Sequence, residues 1–300
     1  MKQFTKQFLY TFAYLIAQFG AAQAGAAITV RDDDGAPVTV QAPARRVVAL
    51  APHVTEMLFA AGGADRIVGA VSYSDYPEAA KRLPNVGDNR QIDLERVIAL
   101  KPDLLVVWLH GVSERQIDAL RQLGIPIFHS EPKTLEAIPD NLLRLGQLMG
   151  TDSVARPAAA ELRRTLAALR AQYAKRPTVR LFYQVWDKPL YTLNGEHIVS
   201  DAIRLCGGEN VFAKMKVTAP MVSPEGVLQE DPEAVVGSVE KNPAAGGVEM
   251  WRQYGSLKAV RNGNLFALDG NLLNRAGPRM IAGTAALCEK LELARRHRKN

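Results

Sequence analysis

The chain has little that would mark an enzyme. It has no glycine-rich phosphate loop and no Ser/His/Asp motif context, and its five histidines (His53, His110, His129, His197 and His297) never fall at metal-ligand spacing. Metal: none is therefore the expectation, and no catalytic residue is singled out. A folded basic face is also missing. The formal charge of +6 sits at the chain ends, because setting aside Lys2, Lys6, Arg295, Arg296, Arg298 and Lys299 leaves 31 of the 37 basic residues against 31 acidic ones. With no basic patch and no reading motif, nucleic acid is not expected as a partner. No apolar run reaches the roughly 20 residues that a membrane span needs. Cysteine is scarce, with only Cys206 and Cys288 present.

What is present begins with a leader. Met1 to about Ala24 carries Lys2 and Lys6, the apolar core Phe8-Leu-Tyr-Thr-Phe-Ala-Tyr-Leu-Ile-Ala17 and the small-residue site Ala22-Gln-Ala24. This is the pattern of a secretory signal cleaved after Ala24 and sends the chain to the periplasm. No cysteine stands at the cleavage site for a lipid anchor. In an exported chain an even cysteine count favours a disulfide, which here would close a loop of about 80 residues and stabilise the second half by roughly 4 kcal/mol in the chain-entropy model. Two buried free thiols are the alternative.

The chain also repeats itself. Asp93-Leu-Glu-Arg-Val-Ile-Ala-Leu-Lys-Pro102 returns as Ser223-Pro-Glu-Gly-Val-Leu-Gln-Glu-Asp-Pro232. In both copies an N-capping residue is followed two positions on by a glutamate, Glu95 or Glu225, and the helix stops at a proline. A short apolar run follows each time, Leu104-Leu-Val-Val-Trp108 and Ala234-Val-Val-Gly237, reading as buried parallel strands. Ala60-Ala-Gly-Gly-Ala-Asp65 and Leu205-Cys-Gly-Gly-Glu-Asn210 echo each other as helix ends stopped by glycine. Strands and helices alternate outside Leu135–Arg176, which is rich in helix formers. The expected fold is α/β, two Rossmann-like lobes with parallel sheets joined by a single long backbone helix. The signal at 1–24 precedes a leading hairpin at 25–45, an N-terminal lobe at 46–150, the linking helix at 151–177, a C-terminal lobe at 178–294 and a basic tail at 295–300. The tail reads as a frayed, solvated terminus.

Ligands of parallel sheets sit beyond the carboxyl ends of the strands. There the sequence places Pro52 and His53 in a loop, Tyr73, Trp108 and His110, Trp186, and the stretch Asn271, Leu272, Leu273, Asn274 and Arg275. Aromatic faces, amides and one firm cation, Arg275, suit a large flat ligand with amide or carboxylate fringes. A glutamate in a helix first turn is favoured by the helix dipole and needs no partner. As a matched pair, Glu95 and Glu225 would present two acidic knobs to arginines of a partner.

Ordered segments across both lobes carry a resemblance: Ala51-Pro-His-Val-Thr-Glu56, Ser72-Tyr-Ser-Asp-Tyr-Pro77, Leu94 to Asp103, Trp108, Cys206-Gly-Gly-Glu-Asn-Val-Phe212, Val222-Ser-Pro-Glu225, Arg275 to Arg279, and Cys288. From about Arg46 to Leu293 the chain resembles the periplasmic substrate-binding proteins of ABC importers, in the cobalamin and iron-siderophore class, nearest to the vitamin B12-binding proteins. The resemblance implies a non-catalytic, monomeric receptor with a shallow cleft and little hinge motion, which takes cobalamin or a related corrinoid as transported ligand. Tyr73 would touch the corrinoid, Trp108 would form an aromatic wall and Asn271–Arg275 would cover the ligand. Glu95 and Glu225 would dock on the inner-membrane permease, and Cys206 would pair with Cys288. Asn89 and Ala219 stand where relatives place tryptophan, and Trp186 supplies stacking area in their stead. A haem or ferric-siderophore receptor on the same fold, with Tyr73 or His53 on iron, is the alternative.

Overall fold

The computed structural model describes residues 26–88, 91–239 and 247–298. The signal at 1–24 and Asn89 lie outside them. An antiparallel hairpin, β1 (Ile28–Arg31) and β2 (Pro37–Val40), opens the described chain. Its turn is closed by the Asp32 carboxylate, which accepts the Asp34 and Ala36 amides at 3.0 and 2.8 Å. The N-terminal sheet follows, with β3 (Val47–Ala49), β4 (Ile67–Ala70), β5 (Leu104–Val107) and β6 (Ile127–His129), all parallel in the order β4-β3-β5-β6. The second lobe repeats the plan. β7 (Val179–Gln184), β10 (Gly208–Asn210), β11 (Ala234–Val239) and β12 (Leu265–Asp269) pair in parallel as β10-β7-β11-β12. In each sheet the second strand of the lobe flanks the first and the third and fourth lie on its other side. The second lobe inserts a two-residue antiparallel hairpin, β8 (Trp186–Asp187) with β9 (Leu190–Tyr191), directly after β7.

The sequence repeat is also a structural one. Asp93 Oδ1 accepts the Arg96 amide at 3.1 Å and starts helix Leu94–Ala99, while Ser223 Oγ accepts the Gly226 amide at 3.2 Å and starts helix Pro224–Glu230. Both units then turn through a left-handed residue directly before the proline, Lys101 at φ 46° and Asp231 at φ 42°. Such a turn is uncommon for a residue with a side chain, so its presence in both lobes is a second mark of duplication. The paired glycines match as well. Gly62 and Gly207 sit at φ 84° and 69°, where a side chain would be strained.

Between the sheets, the helical stretch is two helices, Ala137–Met149 and the 22-residue Asp152–Tyr173, separated by Gly150 at φ 63°. Pro139 lies at the third position of the first helix. Pro157 lies at the sixth position of the second, beyond the turn where a missing N–H costs nothing. One continuous apolar core runs from Val47, Ala49 and Leu104 through Leu145 and Leu166 to Leu181, Val236 and Leu287. Two smaller clusters cover the outer faces of the sheets, one around Leu105 and Val107 and the other around Phe182 and Trp251. A core shared between lobes opposes any large hinge motion, since opening would expose it.

Several sequence expectations need correction. Ala51–His53 is not a loop: helix Pro52–Ala60 begins at Pro52, because a proline fits the first helical position. The first helix of the second lobe starts at Ile198, capped by His197 Nδ1, which accepts the Val199 amide at 3.2 Å. The stretch expected to cover the ligand opens with a one-turn helix, Gly270–Leu273, capped by Asp269. The closing helix runs Met280–Arg296, so the basic residues do not all form a solvated tail. Arg295 is buried and donates to the carbonyls of Pro177, Cys206 and Gly207, and Arg298 Nε donates to Glu233 at 2.8 Å. Cys206 and Cys288 form a disulfide with their Cα atoms 4.7 Å apart, which ties the end of helix Ile198–Leu205 to the closing helix. No helix of the described residues is long and apolar enough to cross a membrane.

Candidate functional site

The carboxyl ends of β3, β5 and β6 bring together a polar aromatic cluster. His53, in the first turn of its helix, is buried, and its Nε2 lies 3.1 Å from the Ser130 carbonyl. Burial pulls its pKa down to about 4, which the Ser130 bond only partly opposes, so the ring is neutral and donates. It meets Trp108 edge-on, with ring centroids 6.2 Å apart. Trp108, half-buried, donates Nε1–H to Glu131 Oε1 at 2.9 Å. The other oxygen, Oε2, lies 2.6 Å from His110 Nδ1 and 3.6 Å from His129 Nε2. Burial pushes Glu131 up, but bonds from His129, Trp108 and His110 outweigh it and hold the carboxyl at about 2.

This cluster was invisible to residue spacing. His110, His129 and Glu131 offer ligand atoms within 4.8 Å of one another, although the histidines do not fall at metal-ligand spacing along the chain. The reason is the sheet. β5 and β6 are parallel neighbours with Val107 opposite His129, so residues about 20 apart come side by side. The usable signal was positional: both groups lie at or just past the carboxyl ends of consecutive strands.

Arg275 is not a free cation. Its Nη1 donates to Asp75 Oδ1 at 2.6 Å and to Glu56 Oε1 at 3.2 Å. Arg279 takes the same Glu56 with Nε to Oε2 at 2.9 Å and Nη2 to Oε1 at 2.6 Å, and lies over the Tyr76 ring at 4.0 Å. The Glu56 side chain is only 2% exposed. Two arginines of the second lobe thus clamp two carboxylates of the first, and the cation expected to orient a ligand is occupied between the lobes. Leu273, also expected at the ligand, is buried in the shared core.

The remaining expected residues stand open. Tyr73 follows β4 in a left-handed conformation at φ 65° and is 77% exposed. Trp186 is 50% exposed on the β8–β9 hairpin, where it pairs with Tyr191, and Tyr191 in turn bridges to Met221. Cross-strand partners share a face, so Trp186, Tyr191 and Met221 form an apolar row. Met215, Val217 and Met221 are exposed hydrophobics that sequence reasoning missed; the unpaired run of Met and Val ahead of the capping Ser223 was the signal. Asn274 Oδ1 accepts the buried Tyr183 hydroxyl at 2.8 Å, Asn271 bonds to Asp269, and Leu272 backs onto Gly283, where a Cβ would come within 2.9 Å of its carbonyl. Pro52 is half-buried at the helix start.

Glu95 and Glu225 occupy the same place, the second residue of each repeated helix, and both are exposed. The Glu225 carboxyl is held below its usual range by its own backbone amide and the Ser223 hydroxyl. An open polar depression of ≈ 650 Å³ borders Glu95, lined by Ser72, Asn85, Gly87, Gln91 and Asp93. It shares no residue with the aromatic cluster and has no aromatic ring in its lining.

Two sheet lobes on one core, aromatic groups beyond the strand ends of each and a matched pair of acidic helix starts define a two-lobed solute-binding receptor. The chain belongs to the periplasmic binding protein family, whose model matches residues 47–272. It is 40% identical over 255 residues to the vitamin B12-binding protein of Vibrio cholerae, covering 85% of this chain and 91% of that one. The crystal structure of the periplasmic vitamin B12-binding protein BtuF of Vibrio cholerae superposes with a TM-score of 0.79, covering 84% of this chain and 98% of that one at 40% identity. The periplasmic heme-binding protein RhuT from Roseiflexus sp. RS-1 superposes at 0.73 over 83% and 99% but is 24% identical, a likeness of fold.

Proposed function

We propose that this protein is a periplasmic receptor that captures cobalamin, vitamin B12 or a related corrinoid, and delivers it to an inner-membrane ABC permease without converting it. The observation that carries this reading is 40% identity to a vitamin B12-binding protein across both lobes. The local chemistry agrees: Tyr73, Trp108 and Trp186 offer ring faces to a flat macrocycle, while Asn271 and Asn274 offer amides to its side chains. Arg275 contributes by holding the lobes, and Pro52, His53, Leu272 and Leu273 by shaping the walls behind them. Glu95 and Glu225 are the docking knobs, one per lobe, for arginines of the permease. The receptor works as a monomer, made with the signal at 1–24 and matured at Gly25.

Intrinsic tryptophan fluorescence of the mature chain, titrated in parallel with cyanocobalamin and haem and corrected for inner-filter absorbance, tests the reading. Saturable one-to-one quenching by the corrinoid alone is expected. A response to haem alone, with a Soret band lost in Tyr73→Phe, would move the ligand to haem. The open Tyr73 hydroxyl favours that second reading more than His53 does, since His53 is buried with Nε2 engaged.

A further inference from the structure

We propose that Asp75, gripped by Arg275 of the second lobe, is the positioning residue that fixes Tyr73 for the ligand, so that corrinoid affinity depends on an interlobe contact acting through Tyr73. The inference rests on the corrinoid reading above. It starts from a conformation that the residue type does not favour. The Ser74 amide donates to the Val71 carbonyl at 3.3 Å and closes a turn in which Tyr73 stands third, at φ 65°. Glycine or asparagine is usual at a left-handed third position, because a side chain crowds the backbone there. A bulky residue persists in such a place only where its surroundings over-determine it. Tyr73 is 77% exposed, so little of that hold comes from packing of its own ring.

The hold comes from the residues on either side. Before Tyr73, the Ser72 amide donates to the Gly87 carbonyl at 2.8 Å and Asn85 Nδ2 donates to Ser72 Oγ at 3.0 Å. After it, buried Ser74 accepts the Thr55 hydroxyl at 2.9 Å, and the Asp75 amide donates back to the Tyr73 carbonyl at 2.9 Å. These anchors all lie within the first lobe. Asp75 carries the hold across to the second, because its Oδ1 accepts Arg275 Nη1 at 2.6 Å while the Arg279 guanidinium lies over the adjoining Tyr76 ring at 4.0 Å. Both arginines are themselves fixed on Glu56, so the cation that Asp75 meets is anchored. Burial pushes the Asp75 carboxyl up, but the bond and charge of Arg275 outweigh it and hold the group below the usual range, ionised at neutral pH. One residue thus grips in two directions, its amide on Tyr73 and its carboxylate on the second lobe. The turn that presents Tyr73 is registered against the lobe on which Trp186 also stands exposed.

Quenching of tryptophan fluorescence by cyanocobalamin in the mature protein reads the effect. Asp75→Ala should lower affinity about three- to tenfold, while Asp75→Asn, which keeps an acceptor for Arg275, should keep most of it. A double-mutant cycle separates positioning from general damage to the cleft. In a Tyr73→Ala background, Asp75→Ala should change affinity less than about twofold, because the ring it positions is gone. Equal losses from Asp75→Ala in the two backgrounds, or no loss in the parent, would overturn the proposal. A second readout needs no ligand. Chymotrypsin, which cuts after tyrosine, should cleave the Tyr73–Ser74 bond at least about threefold faster in Asp75→Ala than in the parent, since a turn with its tie removed opens more often. If cyanocobalamin fails to quench the parent at all, the corrinoid reading itself has failed, and the cleavage rates decide the tie on Tyr73: faster cleavage in Asp75→Ala keeps it, and equal rates overturn it.

Discussion

The two lobes share strand order, the capped acidic helix, the left-handed residue before proline and the glycine stop, yet they secure themselves differently. The second lobe is cross-linked, with Cys206–Cys288 joining its first and last helices and Arg295 sealing the carbonyls beside them. The first relies on polar networks. Asp33 accepts Arg144 Nη2 at 2.5 Å and Asn141 Nδ2 at 2.9 Å, and so ties the leading hairpin to the interlobe helix. Duplication has kept the parts that face outward as a pair and let the parts that stabilise each lobe diverge.

The largest expected effect breaks that asymmetry. Replacing both Cys206 and Cys288 with alanine should cost about 4–5 kcal/mol, because the bridge spans 82 residues of sequence and loop-closure entropy grows with length. Chemical denaturation followed at Trp251 in the second lobe and Trp108 in the first would measure it. The two signals should shift together, since the main core is continuous through both sheets. A Trp251 transition that separated from that of Trp108 would mean that the lobes are independently stable.

Next comes the contact that makes one body of two lobes. Glu56→Ala leaves Arg275 and Arg279 facing each other without their shared carboxylate, and removing one partner of a buried ion pair typically costs about 3–5 kcal/mol. Asp75→Ala should cost far less, because Asp75 is 39% exposed and water can replace it. Equal losses in the two variants would show that the clamp acts through surface charge and not through burial.

Acid tests a feature that the lobes hold in common. Each has one histidine whose pKa burial drives to about 4, His53 in the first and His197 in the second. A histidine depressed below its unfolded value of 6.5 contributes stability that is present above pH 6.5 and lost as the pH falls toward 4. Between pH 7 and pH 5 each should therefore lose roughly 2 kcal/mol, measurable as a lower denaturation midpoint. His129 runs the other way. Its pKa is raised by the carboxylates around it against the pull of burial, so its contribution is fully present below 6.5 and fades as the pH rises through the raised value. A midpoint that did not move between pH 7 and 5, or that fell as far in His53→Gln or in His197→Gln as in the parent chain, would break the correspondence.

How much of this was legible depended on range along the chain. The capped helices, the strands after them and the glycine stops are local patterns, and the sequence repeat announced both sheets. The disulfide was readable from an even cysteine count in an exported chain. The fate of Arg275 was not, because its partners Glu56 and Asp75 lie about 200 residues away and only packing of the lobes brings them together. Burial of Leu273 and His53 escaped for a similar reason: an apolar residue or a loop-like Pro-His pair reads the same in sequence whether it faces a cleft or a core. His129 and Glu131 needed the strand pairing before they could be seen as neighbours of His110.

The smallest expected change in the molecule itself falls on the pair that the lobes preserve best. Glu95 and Glu225 are exposed and sit in the first turn of equivalent helices, outside the packed core. Alanine at both should leave the denaturation midpoint and corrinoid affinity where they are, while weakening capture by detergent-solubilised permease. Because each lobe presents one knob in the same helical setting, the single variants should weaken capture by similar factors, and the double variant by about their product if the knobs lie far enough apart to act independently. Unequal single effects would show that the permease reads the two lobes differently in spite of their common plan, and a loss of corrinoid affinity in the double variant would remove the glutamates from docking altogether.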